Sequence, residues 1–294
     1  MDTVNQLVAK ILNEYYETGF FTHAHCLAGS LDSNDIYADV FLSPNRAEVF
    51  DLASITKAVC TAPLIYQLIV KLNLDPEHAT FEQLCEPWPK DLKNHFKSLH
   101  VKKLLRHESG LPPWRNFWIN RLGFGKSSST RVERSIAIID KFNQLAPEDL
   151  MHRPVYSDTG FILLGMALET YYNKDLADIF NDMVAPLNSP NAIINYQTHI
   201  KSGTAIIPSA FCNIRNRMLV GEVHDENSSS LGGQTGHAGV FGNVYGLVAL
   251  IRWLYQDSTG KNFLEINANH IIANDSSGDG ARLEVTSPRI RVHP

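Results

Sequence analysis

The segment that decides the fold is Phe50-Asp51-Leu52-Ala53-Ser54-Ile55-Thr56-Lys57. Apolar residues recur at helical spacing over Ile55–Leu72, so the pattern predicts a long helix whose head carries this segment. Ser54 and Lys57 are three residues apart, which places both side chains on one helix face, one turn apart. A partly desolvated lysine can take the proton of a serine hydroxyl, and the N–H groups at a helix N-terminus can stabilise an oxyanion. Ser54 also suits a helix N-cap, which is a purely structural role.

A second segment, Val155–Gly165, adds groups of the same chemistry. Its apolar pattern predicts a helix from about Thr159, so Tyr156 precedes the helix start and can point its hydroxyl into a cleft. Beside a serine and a lysine, that hydroxyl could act first as general base and then as general acid. Asp158 could orient the lysine or a substrate amide. In the structural alternative, Ser157 or Asp158 caps the helix and Tyr156 packs at its end.

The composition excludes several classes of protein. The chain has 294 residues, with 26 basic and 31 acidic side chains and a formal net charge of −5. A weakly acidic chain does not suit a phosphate backbone, so no nucleic-acid partner is expected. No apolar run approaches the roughly 18 residues of a membrane helix, and the first residues lack the basic and apolar regions of a secretory signal. We therefore expect a soluble, cytoplasmic protein without a membrane span.

No metal or other cofactor is expected. The 4 cysteines are scattered without Cys-x-x-Cys spacing, which indicates neither a disulfide framework nor a zinc knuckle. His23 and His25 alternate on a predicted strand, but two ligands alone make a poor metal site. Acidic residues follow His224, yet no third ligand is spaced to complete a site there.

The order of the patterns predicts an α+β architecture. An amphipathic helix and two strand-like runs open the chain, helical patterns dominate its middle, and the tail Arg282–Val292 fits one closing strand. We expect one domain, residues 1–294, in which both chain ends form a small antiparallel sheet beside a mainly helical lobe. The expected sheet regions are residues 1–57 and about 256–294, and the lobe is about 58–255.

A third segment, Leu104–Pro112, reads as a helix end followed by a structured loop and is informative only beside the other two. Together, the three linked segments resemble the serine β-lactamase and penicillin-binding protein superfamily. The resemblance also takes in Leu219–Gly242 and covers roughly residues 40–255. It is closest to the class C-like branch of esterases, D-aminopeptidases and DD-peptidases. The resemblance implies a β-lactamase/transpeptidase-like fold in which Ser54 is the acylated serine, Lys57 its paired lysine and Tyr156 the catalytic tyrosine.

Further residues are expected to bind substrate, namely Asp158, His237, Gly239 and Trp114. Asp158 stands where this branch commonly has asparagine. Trp114 follows two prolines. Together with Phe117 and Trp118, it either walls a hydrophobic acyl pocket or packs between the lobe and the sheet.

The superfamily pattern has a third element, Lys/His-Thr/Ser-Gly on a strand that lines the cleft. Lys201-Ser202-Gly203 spells it but lies too early in the chain, and His237-Ala238-Gly239 resembles its histidine variant but precedes a helix. Near the end, Ser258-Thr259-Gly260 has serine in place of the basic residue. The element is therefore either replaced by one of the first two segments or absent, and we expect the C-terminal strands of the sheet to be shortened.

The predicted function is that of a serine hydrolase. Ser54 attacks the carbonyl of a small ester, a β-lactam or a D-amino-acid amide, and water then hydrolyses the acyl-enzyme. The alternative is a catalytically impaired relative that keeps the fold and acts as a binding or regulatory protein. The expected partner is a small-molecule ester or amide, and the sequence leaves the exact substrate and the oligomeric state open.

Overall fold

The computed structural model describes residues 2–31, 33–44, 48–117, 130–187, 189–256, 283–286 and 289–292. The chain opens with a helix and a hairpin, as the sequence predicts. Helix α1 (Asp2–Glu17) is followed by the antiparallel strands β1 (Ala24–Gly29) and β2 (Ile36–Leu42). Ala24 lies opposite Leu42 at the start of the hairpin, and α1 packs on β2.

The middle of the chain is mainly helical. The helix after Ser54 contains a wider π-helical turn, Lys57–Thr61, before it continues as α2 (Ala62–Lys71). Pro63 lies just after this turn and has no N–H for the ordinary hydrogen-bond ladder, which accounts for the local widening. Further helices are α3 (Phe81–Leu84), α4 (Val101–Leu105), α5 (Arg131–Asn143), α6 (Asp158–Tyr172), α7 (Leu176–Val184), α8 (Glu226–Ser230) and α9 (Val244–Gln256).

Helix α6 is the centre of the core. It is apolar on nearly all sides, as expected for a helix surrounded by others, and Leu163, Leu164 and Leu168 are fully buried. The helices α2, α3, α4, α5 and α7 all pack against it. Because α6 begins at Asp158, this packing fixes the start of α6 relative to the helix that follows Ser54.

A three-stranded antiparallel sheet joins distant parts of the chain. Its strands are β3 (Phe50–Asp51), β7 (Val240–Gly242) and β4 (Ile194–Tyr196), with β7 in the middle. Since β3 and β7 are antiparallel, the turn of Ser54 leaves the sheet at the end where residues 237–239 enter it. The strands β5 (Phe211–Cys212) and β6 (Arg217–Met218) form a separate short hairpin.

The C-terminal strands form a hairpin, in which β8 (Leu283–Thr286) pairs antiparallel with β9 (Arg289–Val292). The prediction of one closing strand is wrong, because the described residues of this tail form two strands that pair with each other. The prediction of small antiparallel sheets is confirmed. Within the described residues, however, β8–β9 and β1–β2 are separate sheets, so the two chain ends do not share one sheet. Ser258-Thr259-Gly260 lies outside the described residues.

The described helices are short, and α1, with 16 residues, is the longest. None of the helices in the described ranges has both the length and the apolar character needed to cross a bilayer. In the same residues, no group of three or more His, Cys, Asp or Glu side chains is placed to hold a metal ion.

Candidate active site

Ser54 lies in a turn that follows strand β3 and leaves the residue exposed. Ala53 before it has a φ of 45°, a left-handed conformation. That conformation costs a non-glycine residue about 1–2 kcal/mol. The carboxylate of Asp51 holds the turn, because it accepts the N–H of Ala53 at 2.9 Å and the N–H of His224 at 2.8 Å. Burial raises the pKa of Asp51, and these two N–H groups oppose the shift by favouring the ionised carboxylate.

Lys57 is the centre of the site, and only 5% of its surface is exposed. Its Nζ lies 2.9 Å from Ser54 Oγ, 2.7 Å from Asp158 Oδ1 and 3.3 Å from the carbonyl oxygen of His237. An ammonium group has three protons to donate, and Nζ has these oxygens as neighbours. The arrangement therefore suits a charged lysine that orients the serine hydroxyl and is neutralised by Asp158.

Tyr156 contacts Lys57 through its ring. Nζ lies 4.7 Å from the ring centroid, which is a cation–π contact. The ring of His107 packs against the Tyr156 ring, with centroids 4.4 Å apart. Tyr156 is 53% exposed, and its hydroxyl has no hydrogen-bond partner among the described residues. The structure thus brings Tyr156 beside Lys57, while its role as acid and base stays a prediction.

Asp158 is the first residue of α6, and its carboxylate pairs with Lys57. Of the two predicted caps, Ser157 is the one used, because its side chain accepts the N–H of Gly160 at 3.2 Å. A carboxylate in the first helical turn is stabilised by the partial positive charge of the helix N-terminus. Of the two sequence-based roles, orientation of the lysine is the one that this geometry supports.

His237 reaches Lys57 only with its backbone. Its ring is buried, with Nε2 2.8 Å from Asp225 Oδ1 and Nδ1 3.0 Å from Thr235 Oγ1. Burial raises the pKa of Asp225, but the charge and hydrogen bond of His237 and the N–H of Ser228 outweigh burial and lower the pKa to about 2. The sequence assigns the His237 ring to substrate binding, but in the structure both ring nitrogens lie at hydrogen-bond distance from other protein side chains.

The two sequence candidates for the third element lie in different surroundings. In His237-Ala238-Gly239, the glycine has a φ of 126°, and a Cβ there would lie 2.2 Å from the carbonyl oxygen of Gly233. Gly239 is thus required by close packing, and its contact with substrate stays a prediction. Lys201-Ser202-Gly203 forms an exposed turn, in which the N–H and hydroxyl of Thr204 donate to the carbonyl of Lys201. Within the described residues, neither candidate offers a basic side chain to Ser54.

The aromatic residues after Pro113 are divided between the surface and the core. Trp114 is 42% exposed, and the carbonyl of its neighbour Pro113 accepts the N–H of Asp158 at 2.9 Å. Phe117 is buried in the main core. Trp118 lies outside the described residues. Core packing thus accounts for Phe117, and a pocket wall at Trp114 stays a prediction.

His107 belongs to the site; it lies in the segment Leu104–Pro112 that is part of the resemblance, but the sequence assigns no role to the residue itself. It follows α4 in the left-handed conformation, with a φ of 59°, and its Nδ1 accepts the N–H of Ser157 at 2.9 Å. Burial and, second, the positive charge of Lys57 lower the pKa of His107, which favours the neutral ring that can accept this bond. The only sequence signal is a histidine between a helix end and a loop with glycine and proline, a pattern that many structural residues share.

A model of the Beta-lactamase family matches residues 35–275 of the chain. The chain belongs to the Beta-lactamase family. An N-acetylmuramyl-L-alanine amidase of Bacillus subtilis (strain 168) is 29% identical over 230 residues, which are 73% of this chain and 51% of that protein. A putative D-alanyl-D-alanine carboxypeptidase of Escherichia coli (strain K12) is 26% identical over 219 residues, 69% of this chain and 50% of that protein. The chain thus spans about half the length of the curated relatives it matches.

Several solved structures share the fold at low sequence identity. A β-lactamase/D-alanine carboxypeptidase from Pseudomonas syringae has a TM-score of 0.58 and 15% identity, and the match covers 88% of this chain and 68% of that chain. For the D-amino acid amidase from Ochrobactrum anthropi SV3 the TM-score is 0.57 and the identity 19%, with coverages of 89% and 73%. The predicted α+β fold of the β-lactamase/transpeptidase type is confirmed, and the family to which the chain belongs is one of serine hydrolases.

Proposed function

We propose that this chain is a serine hydrolase that works through an acyl-enzyme on a small ester, a β-lactam or a D-amino-acid amide. The observation that carries the proposal is the 2.9 Å contact between the hydroxyl of the exposed Ser54 and the buried Nζ of Lys57. A serine hydroxyl is a weak nucleophile unless a neighbouring group takes its proton. The similarity to an amidase, a putative carboxypeptidase and a D-amino acid amidase supports amide hydrolysis as the reaction class.

The proposed proton path follows the groups around Lys57. The ammonium passes one proton to Asp158 across 2.7 Å, and the resulting amine takes the proton of Ser54 while Oγ attacks the carbonyl carbon. The backbone N–H of Ser54 stabilises the oxyanion that forms. The lysine then returns a proton to the leaving group, and water repeats the same steps to release the acyl group.

In the proposed mechanism, Tyr156 also takes part in the proton transfer. Its ring lies 4.7 Å from Lys57 Nζ, and its side chain is exposed on the other side. A rotation of the side chain brings the hydroxyl between Lys57 and the leaving group, so it gives its own proton to the leaving group while it accepts the proton that the lysine returns. Tyr156→Phe removes this hydroxyl and keeps the ring contact with Lys57, so it separates the two contributions.

Labelling with a fluorescent fluorophosphonate, together with turnover of a p-nitrophenyl ester, tests the proposal. Wild-type protein should be labelled on Ser54 and release p-nitrophenol, whereas Ser54→Ala should do neither. Ser202→Ala, in the exposed turn of Lys201, is the matched control and should keep both activities. Absence of any serine-dependent label and of any turnover in the wild-type protein contradicts the proposal.

The second candidate is a catalytically impaired relative that acts as a binding or regulatory protein. The buried ring of His237 and the exposed turn of Lys201 favour it, since among the described residues neither gives Ser54 a basic neighbour for a substrate carboxylate. Complete labelling of Ser54 without turnover is the outcome that supports this candidate over the hydrolase.

A further inference from the structure

His107 is bonded to the residues on both sides of Tyr156. Its carbonyl accepts the N–H of Val155 at 3.1 Å, and its ring Nδ1 accepts the N–H of Ser157 at 2.9 Å. Its ring also packs on the Tyr156 ring, with centroids 4.4 Å apart, and on the ring of Phe161 in α6, at 5.3 Å. His107 thus holds the backbone before and after Tyr156 as well as the Tyr156 ring.

The bond to Ser157 completes the cap of α6. Ser157 is the N-cap residue, and the N–H of an N-cap residue is often bonded by a Glu or Gln side chain three positions later. Here that position is Gly160, which has no side chain. Ser157 is only 1% exposed, so its N–H is shielded from water and needs an acceptor within the protein. The imidazole of His107, 50 positions earlier in the chain, is that acceptor.

The segment that His107 holds carries the two side chains that contact Lys57 from α6. The Nζ of Lys57 lies 2.7 Å from Asp158 Oδ1 and 4.7 Å from the centroid of the Tyr156 ring. Both distances depend on the position of the backbone of residues 155–158. A displacement of about 1 Å in a catalytic site can cost about 100-fold in rate. A residue that fixes this backbone therefore acts on the proposed proton path through Tyr156 and Asp158.

The bond to Ser157 requires one protonation state of the His107 ring. Nδ1 accepts an N–H only when it carries no proton, so the proton of the neutral ring is on Nε2. The charged and titratable groups near the ring in the described part of the chain are Lys57, Asp158, Tyr156 and the ion pair of its neighbours Arg106 and Glu108. Burial and then the charge of Lys57 lower the pKa of His107, which keeps Nδ1 free at neutral pH.

We propose that His107 is a positioning residue for the hydrolysis, because its neutral ring holds the start of α6 against Lys57 through the bond to Ser157. This role rests on the proposed function, since it concerns the proton path of that reaction. Protonation of Nδ1 turns the acceptor into a second donor and breaks the bond. A residue that only fills space would need the ring and not its Nδ1, so the two roles can be separated by substitution.

Three substitutions of His107 separate the acceptor from the ring. His107→Asn keeps a side-chain acceptor and tolerates a left-handed backbone, but it has no ring. His107→Phe keeps a ring without an acceptor, and His107→Gly lacks both but adopts the φ of 59° without strain. For a p-nitrophenyl ester, kcat should stay within about threefold of wild type in the Asn variant. It should fall by about 10- to 100-fold in the Phe and Gly variants, with KM changed by less than about threefold.

His95→Asn and His95→Gly are the matched controls. His95 is exposed and also packs on an aromatic ring, that of Phe96, with centroids 4.0 Å apart. Both variants should keep the wild-type kcat, because the article places neither residue near Lys57.

NMR of the wild-type chain tests the same bond without any substitution. At neutral pH, the ¹⁵N signals of the His107 ring should show a proton on Nε2 and none on Nδ1. As the pH is lowered, the amide signal of Ser157 should shift together with the ring signals, with a midpoint below the ordinary value of 6.5.

Four results overturn the role of His107. They are a proton on Nδ1 at neutral pH, a Ser157 amide signal that does not follow the ring, equal losses of kcat in the Asn and Phe variants, and wild-type kcat in the Gly variant. Each of these leaves labelling of Ser54 and turnover by the wild-type chain intact. A wild-type chain that shows neither labelling nor turnover instead contradicts the proposed function, and the role of His107 in that reaction falls with it.

Discussion

Two walls hold Lys57, and they do so by different means. On the α6 wall, Tyr156–Asp158, the contacts are side chains: a carboxylate oxygen at 2.7 Å and a ring centroid at 4.7 Å. On the β7 wall, His237–Gly239, the contact is a backbone carbonyl at 3.3 Å, and the histidine ring is turned to Asp225. A side-chain contact depends on residue identity, whereas a backbone contact depends on the path of the chain. We therefore expect changes in the α6 wall to affect turnover and changes behind the β7 wall to affect stability.

Lys57→Met removes the group that both walls share, and we expect it to have the largest effect. The substitution keeps the length of the side chain but abolishes the proton transfer, so kcat/KM for a p-nitrophenyl ester should fall by about 10³-fold or more. Lys71→Met, near the end of α2 and exposed, is the control and should keep the wild-type rate. A loss below about tenfold would show that Ser54 is activated without the lysine.

Asp158→Asn tests the α6 wall itself. The amide keeps the shape of the side chain but cannot accept the lysine proton, so kcat should fall by about 10²-fold. The control is Asp182→Asn, which alters an exposed ion pair with Lys174 and should not change kcat. If kcat stays within about threefold of wild type, the relay through Asp158 is wrong.

Asp225→Asn tests the β7 wall and should lower stability more than turnover. The pKa of Asp225 is about 2 in the folded chain, against an ordinary value of 3.8, so the ionised carboxylate contributes stability above that ordinary value. The contribution is about 2 kcal/mol at neutral pH and is lost as the pH falls from about 4 to about 2. Urea unfolding of wild type and variant should therefore differ at pH 7 and converge near pH 2 to 3. A difference that does not depend on pH contradicts the assignment to this carboxylate.

Ala53→Gly changes the turn that carries Ser54, and we expect it to have the smallest effect, which is on the free energy of unfolding. Glycine adopts a positive φ without strain, so the free energy of unfolding should rise by about 1 kcal/mol or less. Ala58→Gly, in the helical segment after Ser54, should instead lower it by about 0.5–1 kcal/mol. Opposite signs in urea unfolding support local strain at Ala53, and equal destabilisation refutes it.

The α6 wall was easier to predict from the sequence than the β7 wall. Ser54 and Lys57 lie close together because of their helical spacing. Tyr156 and Asp158 lie at the start of α6, and the N-cap residue Ser157 marks that start in the sequence. Local rules therefore predict the Ser54–Lys57 pair and the start of α6, whereas the meeting of these two parts of the chain is what the resemblance to the superfamily implies.

The remaining features depend on contacts that no local pattern encodes. The sequence shows a histidine at position 237 and therefore suggests a contact with substrate. In the structure, the His237 ring points instead to Asp225, which lies 12 residues earlier in the chain. Lys201-Ser202-Gly203 spells a catalytic element but folds as a turn, with a φ of 86° at its glycine. His107 has no periodic signal at all, because it follows a helix in the left-handed conformation.

The bond between Asp51 and the N–H of His224 also limits when the turn of Ser54 can be completed during synthesis. The two residues are 173 positions apart, and Lys57 and His237 are 180 apart. At a synthesis rate of about 5–20 residues per second, the ribosome needs roughly 10–35 s to add the second partner after the first. Throughout that interval the emerging chain carries Ser54 without the bond that holds its turn. The turn that carries Ser54 is therefore completed by a late segment of the chain, after the helical core that surrounds α6 has been made.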